Sequence, residues 1–264
     1  MDFNTEALYT QPYIQVPFPI SRPQILMALD AFFAFLRLPD AIKFHIDTKI
    51  SPKHRRGELG LTHRDPGDDV YRDSKDFFHF HPILFQEYDE FIEKQPVIKQ
   101  FLELALPIWQ TAYETVHEIM SSFEPSYPGT MTKIFDDPTP HFVLRFLKYE
   151  YSNPGEYLAK PHFDSGSFTL AIAESRPGLR IGTKPEDLTL IQHADNQAIF
   201  MVSSNYRKII DTDKLSPGWH DVIQLDETQL GHAFARWAVV VFIDGHSVEA
   251  LTRDDTHKWT AAAT

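Results

Sequence analysis

The 264-residue chain contains no cysteine. Disulfides, thiolate metal sites and cysteine nucleophiles are therefore excluded. The absence fits a reducing compartment, so a cytoplasmic location is expected. A run of roughly 18 apolar residues, as a membrane-spanning helix needs, is also missing. The opening residues, Met1-Asp2-Phe3-Asn4-Thr5-Glu6, lack the basic start and apolar stretch of a secretory signal. Internal repeats and low-complexity tracts are absent. Positive charge is scarce: 25 Lys and Arg stand against 37 Asp and Glu, a formal net charge of -12. A polyanion such as nucleic acid needs a basic face, and an anionic membrane does too. Neither is expected as a partner, although a local basic pocket is compatible with the total.

What is present points to a globular chain. Apolar residues make up 42%, enough for a sizeable core, and 21 Phe make that core aromatic-rich. The expected organisation is one domain over 1–264, with a helical and loop region over 1–138 and a β core over 139–264. Ile14 to Pro19 reads as a short edge strand. Ser21 caps a helix with Pro23 in its first turn, where a missing N–H is harmless. That helix runs from Ile25 to Leu36 and is deeply packed, with Pro39 ending it. Residues 46–76, rich in charge, Gly and Pro, read as a long irregular loop. His79 and His81 follow, two apart among aromatic neighbours, and are read as partly buried and satisfied by the backbone. From Val97 to about Phe123, apolar residues recur at three- and four-residue steps. This is a long helix, kinked at Pro107, that braces a sheet. Beyond residue 139 the pattern changes to short β segments: 142–151, 167–173, 179–182, 198–203, 220–224 and 236–243. Turn residues such as Asn153-Pro154-Gly155 separate them, as in a sandwich or jelly roll.

The chemistry centres on Lys160-Pro161-His162-Phe163-Asp164-Ser165-Gly166. On a strand, residues two apart share a face. His162 and Asp164 can therefore offer a nitrogen and an oxygen to one metal ion. A second His would complete two His and one carboxylate, the donor set of non-haem Fe(II) sites with open positions. His193 lies in a polar stretch and reads as a turn residue. His246 follows a turn signal, and His257 is near the end of the chain. His220 and His232 remain. His220 opens a strand-like segment 56 residues after Asp164, and is favoured. His232 is only four residues before Arg236 and reads as a hairpin residue. Arg236 begins a run that is buried throughout, so it needs a partner. From the strand alone, an internal acid is the better account. The upstream His and Asp turn the reading toward a ligand carboxylate gripped by the guanidinium fork.

With these residues in view, the chain resembles the isopenicillin-N-synthase-like branch of the Fe(II)/2-oxoglutarate dioxygenases. The resemblance rests on His162-Phe163-Asp164, Gly166, Phe168-Thr169-Leu170, Gly178-Leu179-Arg180, and His220 followed by Arg236-Trp237-Ala238. Leu144 to Tyr149 resembles the strand before the metal pair. The resemblance covers about residues 140–245. It implies an α+β fold with a double-stranded β-helix (jelly roll) and an N-terminal helical layer bracing the sheet. It implies Fe(II) on His162, Asp164 and His220, 2-oxoglutarate held by Arg236 and Tyr149, and O2 as oxidant. The implied reaction is hydroxylation, desaturation or cyclisation of a small-molecule metabolite, with succinate and CO2 released. A carboxylate at Asp164 disfavours halogenation, which in related enzymes uses a small residue there. Two positions depart from the pattern: Ala238 replaces a Ser that contacts the co-substrate, and Arg180 replaces a Gln. Phe163, Arg180, Phe78, His79 and the 46–76 loop are the expected pocket walls, with Arg180 suiting an anionic group or lying solvated at the surface. Three rival readings remain: an Fe(II) oxidase that uses no 2-oxoglutarate, a non-catalytic jelly-roll binding protein, and a zinc hydrolase. An internal acid on Arg236 would favour the binding protein.

Overall fold

Alternation at every second residue organises the sheets. The computed structural model describes residues 3–46, 59–60, 75–136, 141–225 and 234–245. Its strands are β1 (Tyr13–Pro17), β2 (Leu59–Gly60), β3 (Lys75–Phe80), β4 (Phe142–Tyr149), β5 (Tyr157–His162) and β6 (Phe168–Glu174). They continue with β7 (Leu179–Gly182), β8 (Thr189–Leu190), β9 (Gln197–Val202), β10 (Trp219–Ile223) and β11 (Arg236–Ile243). The helices are α1 (Arg22–Leu36), α2 (Asp40–Lys43), α3 (Leu84–Glu87), α4 (Asp89–Glu93), α5 (Pro96–Ser121) and α6 (Thr130–Phe135).

Two antiparallel sheets result. The larger has the order β1-β9-β6-β11-β4-β3-β2, and the smaller β5-β10-β7-β8. The expected jelly-roll sandwich with a helical layer is what forms. β1 is an edge strand, as the sequence suggested. β2 pairs with β3, so the 46–76 stretch is not wholly irregular. Its remainder, 47–58 and 61–74, lies outside the described residues, as do His232, His246 and His257.

α1 starts as expected: Gln24 Oε1 accepts from the backbone N–H of Ser21 at 3.0 Å. Its buried stripe, Ile25, Ala28, Leu29, Phe32 and Phe35, packs on α5. Leu26 and Met27 fall off that stripe and are exposed. Rings fill the layer between helices and sheet, with Phe101 lying 5.5 Å from Phe32 and 5.1 Å from Phe146. Such pairs add about 0.5–1.5 kcal/mol each beyond their area burial.

Each strand of the larger sheet thus has two faces. On β11, Trp237, Val239, Val241 and Ile243 meet the helical layer. Arg236, Ala238, Val240 and Phe242 face a cavity between the sheets. On β4, Arg145, Leu147 and Tyr149 do the same. β6 interrupts the alternation: its pairing with β11 shifts register between Val239 and Val240, which face Ala173 and Ala171. Ile172 is the extra residue of this β-bulge. Past it, Ala173 sits with the helical core and Glu174, opposite Ala238, lines the cavity.

Candidate metal centre

β10 pairs with both β5 and β7, and its register sets His220 directly opposite His162. The two rings lie 4.4 Å apart. β5 ends at His162, so Asp164 does not share its strand as the sequence reading had it. The chain turns after His162, and the turn still brings Asp164 Oδ1 to 3.5 Å from His162 Nε2 and 3.7 Å from His220 Nε2. One donor atom from each of the three residues lies within 4.8 Å of the others.

The outer contacts fix which atoms face inward. His162 Nδ1 lies 2.6 Å from the Lys160 carbonyl oxygen, and His220 Nδ1 lies 3.0 Å from that of Gly218. A carbonyl only accepts, so both Nδ1 atoms carry the hydrogen and both Nε2 atoms present a lone pair. Metal-binding His residues are oriented in this way by a second hydrogen bond. Asp164 Oδ2 accepts from Thr169 Oγ1 at 2.6 Å, and Thr169 Oγ1 lies 3.1 Å from Ser203 Oγ. Burial alone would raise the Asp164 carboxyl, but His220 and His162 beside it, with the hydrogen bonds it receives, hold it well below the usual carboxylate range. Burial pushes His220 below the ordinary imidazole value. An ionised carboxylate and a neutral imidazole are the forms that bind a cation. The donor set fits a divalent metal with two His and one carboxylate.

Behind these residues lies a cavity that, counted with the open solvent at its mouth, takes up about 700 Å³. At its rear, Arg236 is buried and its Nη2 is ion-paired with Glu174 Oε2. Arg236 Nε donates to the Arg176 carbonyl at 3.1 Å, and its guanidinium lies 5.7 Å from the Tyr149 ring centre. Burial lowers Arg236 to about 10, which still leaves it charged at neutral pH. Gly178 leaves room here: a Cβ on it would lie 2.7 Å from the Ile223 carbonyl and 3.7 Å from Arg236 Nε.

No known family model and no curated protein matches the chain. Solved structures do. The dioxygenase for auxin oxidation 1 of Arabidopsis thaliana, in complex with 2-oxoglutarate, superimposes with a TM-score of 0.68 at 14% identity, over 96% of this chain and 92% of that one. JOX2, in complex with 2OG, Fe and JA, gives 0.67 at 16%, over 96% and 75%. A full-length Neurospora crassa protein in complex with alpha-KG gives 0.65 at 17%, over 91% and 78%. This chain has the 2OG-Fe(II) oxygenase fold.

Within the oxygenase fold, several expected residues take other places. Arg180 neither faces the cavity nor lies free at the surface. It alternates with Leu179 and Ile181, so it points outward and grips the fully buried Asp221 through two bonds of 2.8 and 2.6 Å. Phe78 faces the helical core, because only Lys75, Phe77 and His79 share the other face of β3. Phe163 packs edge-on against Trp219 at 4.8 Å. His79 accepts from Arg145 Nε, a side chain rather than backbone, whereas His81 Nδ1 accepts from the Ile83 N–H at 3.2 Å as expected. The partner of Arg236 is an internal acid, as the strand alone suggested. Sequence reasoning missed Glu174, and it took His193 for a turn residue. The His193 ring is buried in the cavity wall, its Nε2 lying 2.9 Å from the Ala171 carbonyl oxygen. The bulge that aims Glu174 inward leaves no mark in the apolar run of β6.

Proposed function

We propose that this chain is a non-haem Fe(II)/2-oxoglutarate-dependent oxygenase that oxidises a small-molecule metabolite. The observation that carries the reading is the convergence of His162 Nε2, His220 Nε2 and Asp164 Oδ1 on the wall of an inter-sheet cavity. His162, Asp164 and His220 would hold the iron, and Arg236 with Tyr149 would bind 2-oxoglutarate. Bound there, iron and 2-oxoglutarate supply the oxidising power from O2, and succinate and CO2 are released.

The remaining tasks fall to the chain itself. The Lys160 and Gly218 carbonyls keep both imidazoles in one tautomer. Thr169 holds Asp164 so that Oδ1 stays turned toward the two rings. Leu147, Leu179, Ile181, Ile199 and Val222 line the cavity and exclude water from the reacting end. The Arg236 guanidinium offers the paired donors a carboxylate requires. Arg145, lying 4.8 Å from the Phe77 ring and 4.4 Å from that of Phe242, is placed to orient a polar substrate group. The similar JOX2 structure holds JA beside 2OG and Fe, which supports a small-molecule substrate here. The net charge of -12 weighs against a polynucleotide.

Anaerobic titration of the iron-loaded protein with 2-oxoglutarate should develop a weak visible charge-transfer band, and His162→Ala should abolish it. Folded, iron-loaded protein without that band would refute the co-substrate assignment. Glu174 on Arg236 favours a second reading, a non-catalytic jelly-roll binding protein of the same fold. Succinate formed in step with substrate oxidation decides for the first.

A further inference from the structure

The acid at the rear of the cavity is buried: Glu174 is 4% exposed and Arg236 3%. One Glu174 oxygen is bound to Arg236, while the other, Oε1, has no hydrogen-bond partner among the described residues. His193 Nδ1 has none either, and the two atoms lie 3.5 Å apart. His193 Nε2 must carry a hydrogen to serve the Ala171 carbonyl. In the neutral ring, Nδ1 is therefore a lone pair. Two acceptors face each other across a gap that fits one hydrogen.

The consequence for ligand binding follows from charge, and it rests on the 2-oxoglutarate reading above. Arg236 and Glu174 together are neutral. A second carboxylate brought to Arg236 would put two anions on one buried cation, which low dielectric strongly disfavours. One added proton restores neutrality. The other cations near Glu174 are engaged elsewhere, although burial, together with the charge of Arg22, lowers the His193 ring below the ordinary imidazole value. Arg22 Nη2 bonds the Glu174 backbone oxygen at 3.1 Å, and the Lys75 ammonium lies beyond the Tyr149 ring, 5.9 Å from its centre.

We propose that Glu174 is a resident carboxylate governing co-substrate binding: the far carboxylate of 2-oxoglutarate displaces it from Arg236, and the released Glu174 shares one solvent-derived proton with His193. No other bond is made or broken. A 2-oxo acid without a far carboxylate leaves the Glu174–Arg236 pair in place and takes up no proton.

Calorimetric titration of the full chain, loaded with Mn(II) in place of iron, tests this with 2-oxoglutarate as the ligand. The titration is run near pH 7 in two buffers of different ionisation heat. Wild-type protein should take up about one proton on binding 2-oxoglutarate, and none on binding 2-oxobutyrate. Glu174→Gln should bind 2-oxoglutarate about tenfold more tightly or better, without proton uptake. Binding to the wild type without proton uptake overturns the proposal, and so does equal or weaker binding by Glu174→Gln. If Glu174→Gln does not fold, the wild-type proton count decides alone. Absence of binding to both proteins would instead refute the 2-oxoglutarate reading on which the proposal stands.

Discussion

The two faces of the larger sheet are made by neighbouring residues of the same strands, and they differ in kind. Toward the helices, Phe142, Leu144, Phe146, Val239 and Val241 form one dry, aromatic layer with α1 and α5. Toward the cavity, the residues between them include Arg145, Tyr149, Thr169, Glu174 and Arg236. The first face is insulated from the site by a full backbone layer. It can supply stability while the second carries buried charge at a cost. Substitutions on the two faces should accordingly move different measurements.

The largest separation is expected at Phe101, which is fully buried among Phe32, Phe35, Phe78 and Phe146. Phe101→Ala should lower the unfolding free energy by about 3–5 kcal/mol, read from the urea midpoint. The metal affinity of the folded fraction should hold. A parallel fall in metal affinity would show that the faces are coupled.

Asp244 comes next, with the opposite sign. It follows β11 beneath the loop after Asp164, and its Oδ1 accepts from Ser167 Oγ at 2.9 Å. Burial pushes its carboxyl up from 3.8 to about 7, against that hydrogen bond. An acid raised in the folded state contributes most below its unfolded value, and the contribution disappears as pH rises through the folded one. Stability from this group should thus decline between about pH 4 and pH 7. Asp244→Asn should exceed the wild type at pH 8 by on the order of a few kcal/mol, and lose that advantage near pH 4. Thermal melts across this range would show a constant difference if Asp244 did not titrate there.

A smaller effect is expected on the cavity side. Thr169→Val removes the hydrogen bond to Asp164 at nearly constant shape. Metal affinity should fall by roughly 10–100-fold with little change in the melting of the metal-free protein. Unchanged affinity would mean that Asp164 is oriented without Thr169. Smallest of all, Ser21→Ala should cost about 1 kcal/mol through the start of α1, and leave metal binding as it was. A loss of metal affinity there would extend the coupling to the outermost layer.

The sequence made much of this arrangement legible. Leu179–Gly182 and Arg236–Ile243 form strands over the expected residues, because their apolar runs are bounded by turn signals. His162, Asp164 and His220 stand out by residue type, and the fold brings them together. The strand expected around His162 and Asp164 was given no bounds, and β5 in fact lies before the pair and ends at His162. Tyr157 to His162 has weak alternation, and Pro161 within it reads as a breaker. Arg180 and Phe78 were misplaced because pocket walls were chosen by chemical type and not by the side of the pleat on which each residue falls. Glu174 and His193 could not be found at all. One depends on a register shift, and the other on a loop ring folding inward.

The extra residue at Ile172 therefore works as a frameshift in the pleat. Pairing Ile172 opposite Val239 instead would iron out the bulge, bring the small side chain of Ala173 against Ala238 and leave the guanidinium of Arg236 with no anion of its own, whereas deleting Ile172 would keep Glu174 opposite Ala238. The built-in occupant of that pocket is thus chosen by which residue the pairing of β6 leaves out, and not by the make-up of the strand alone.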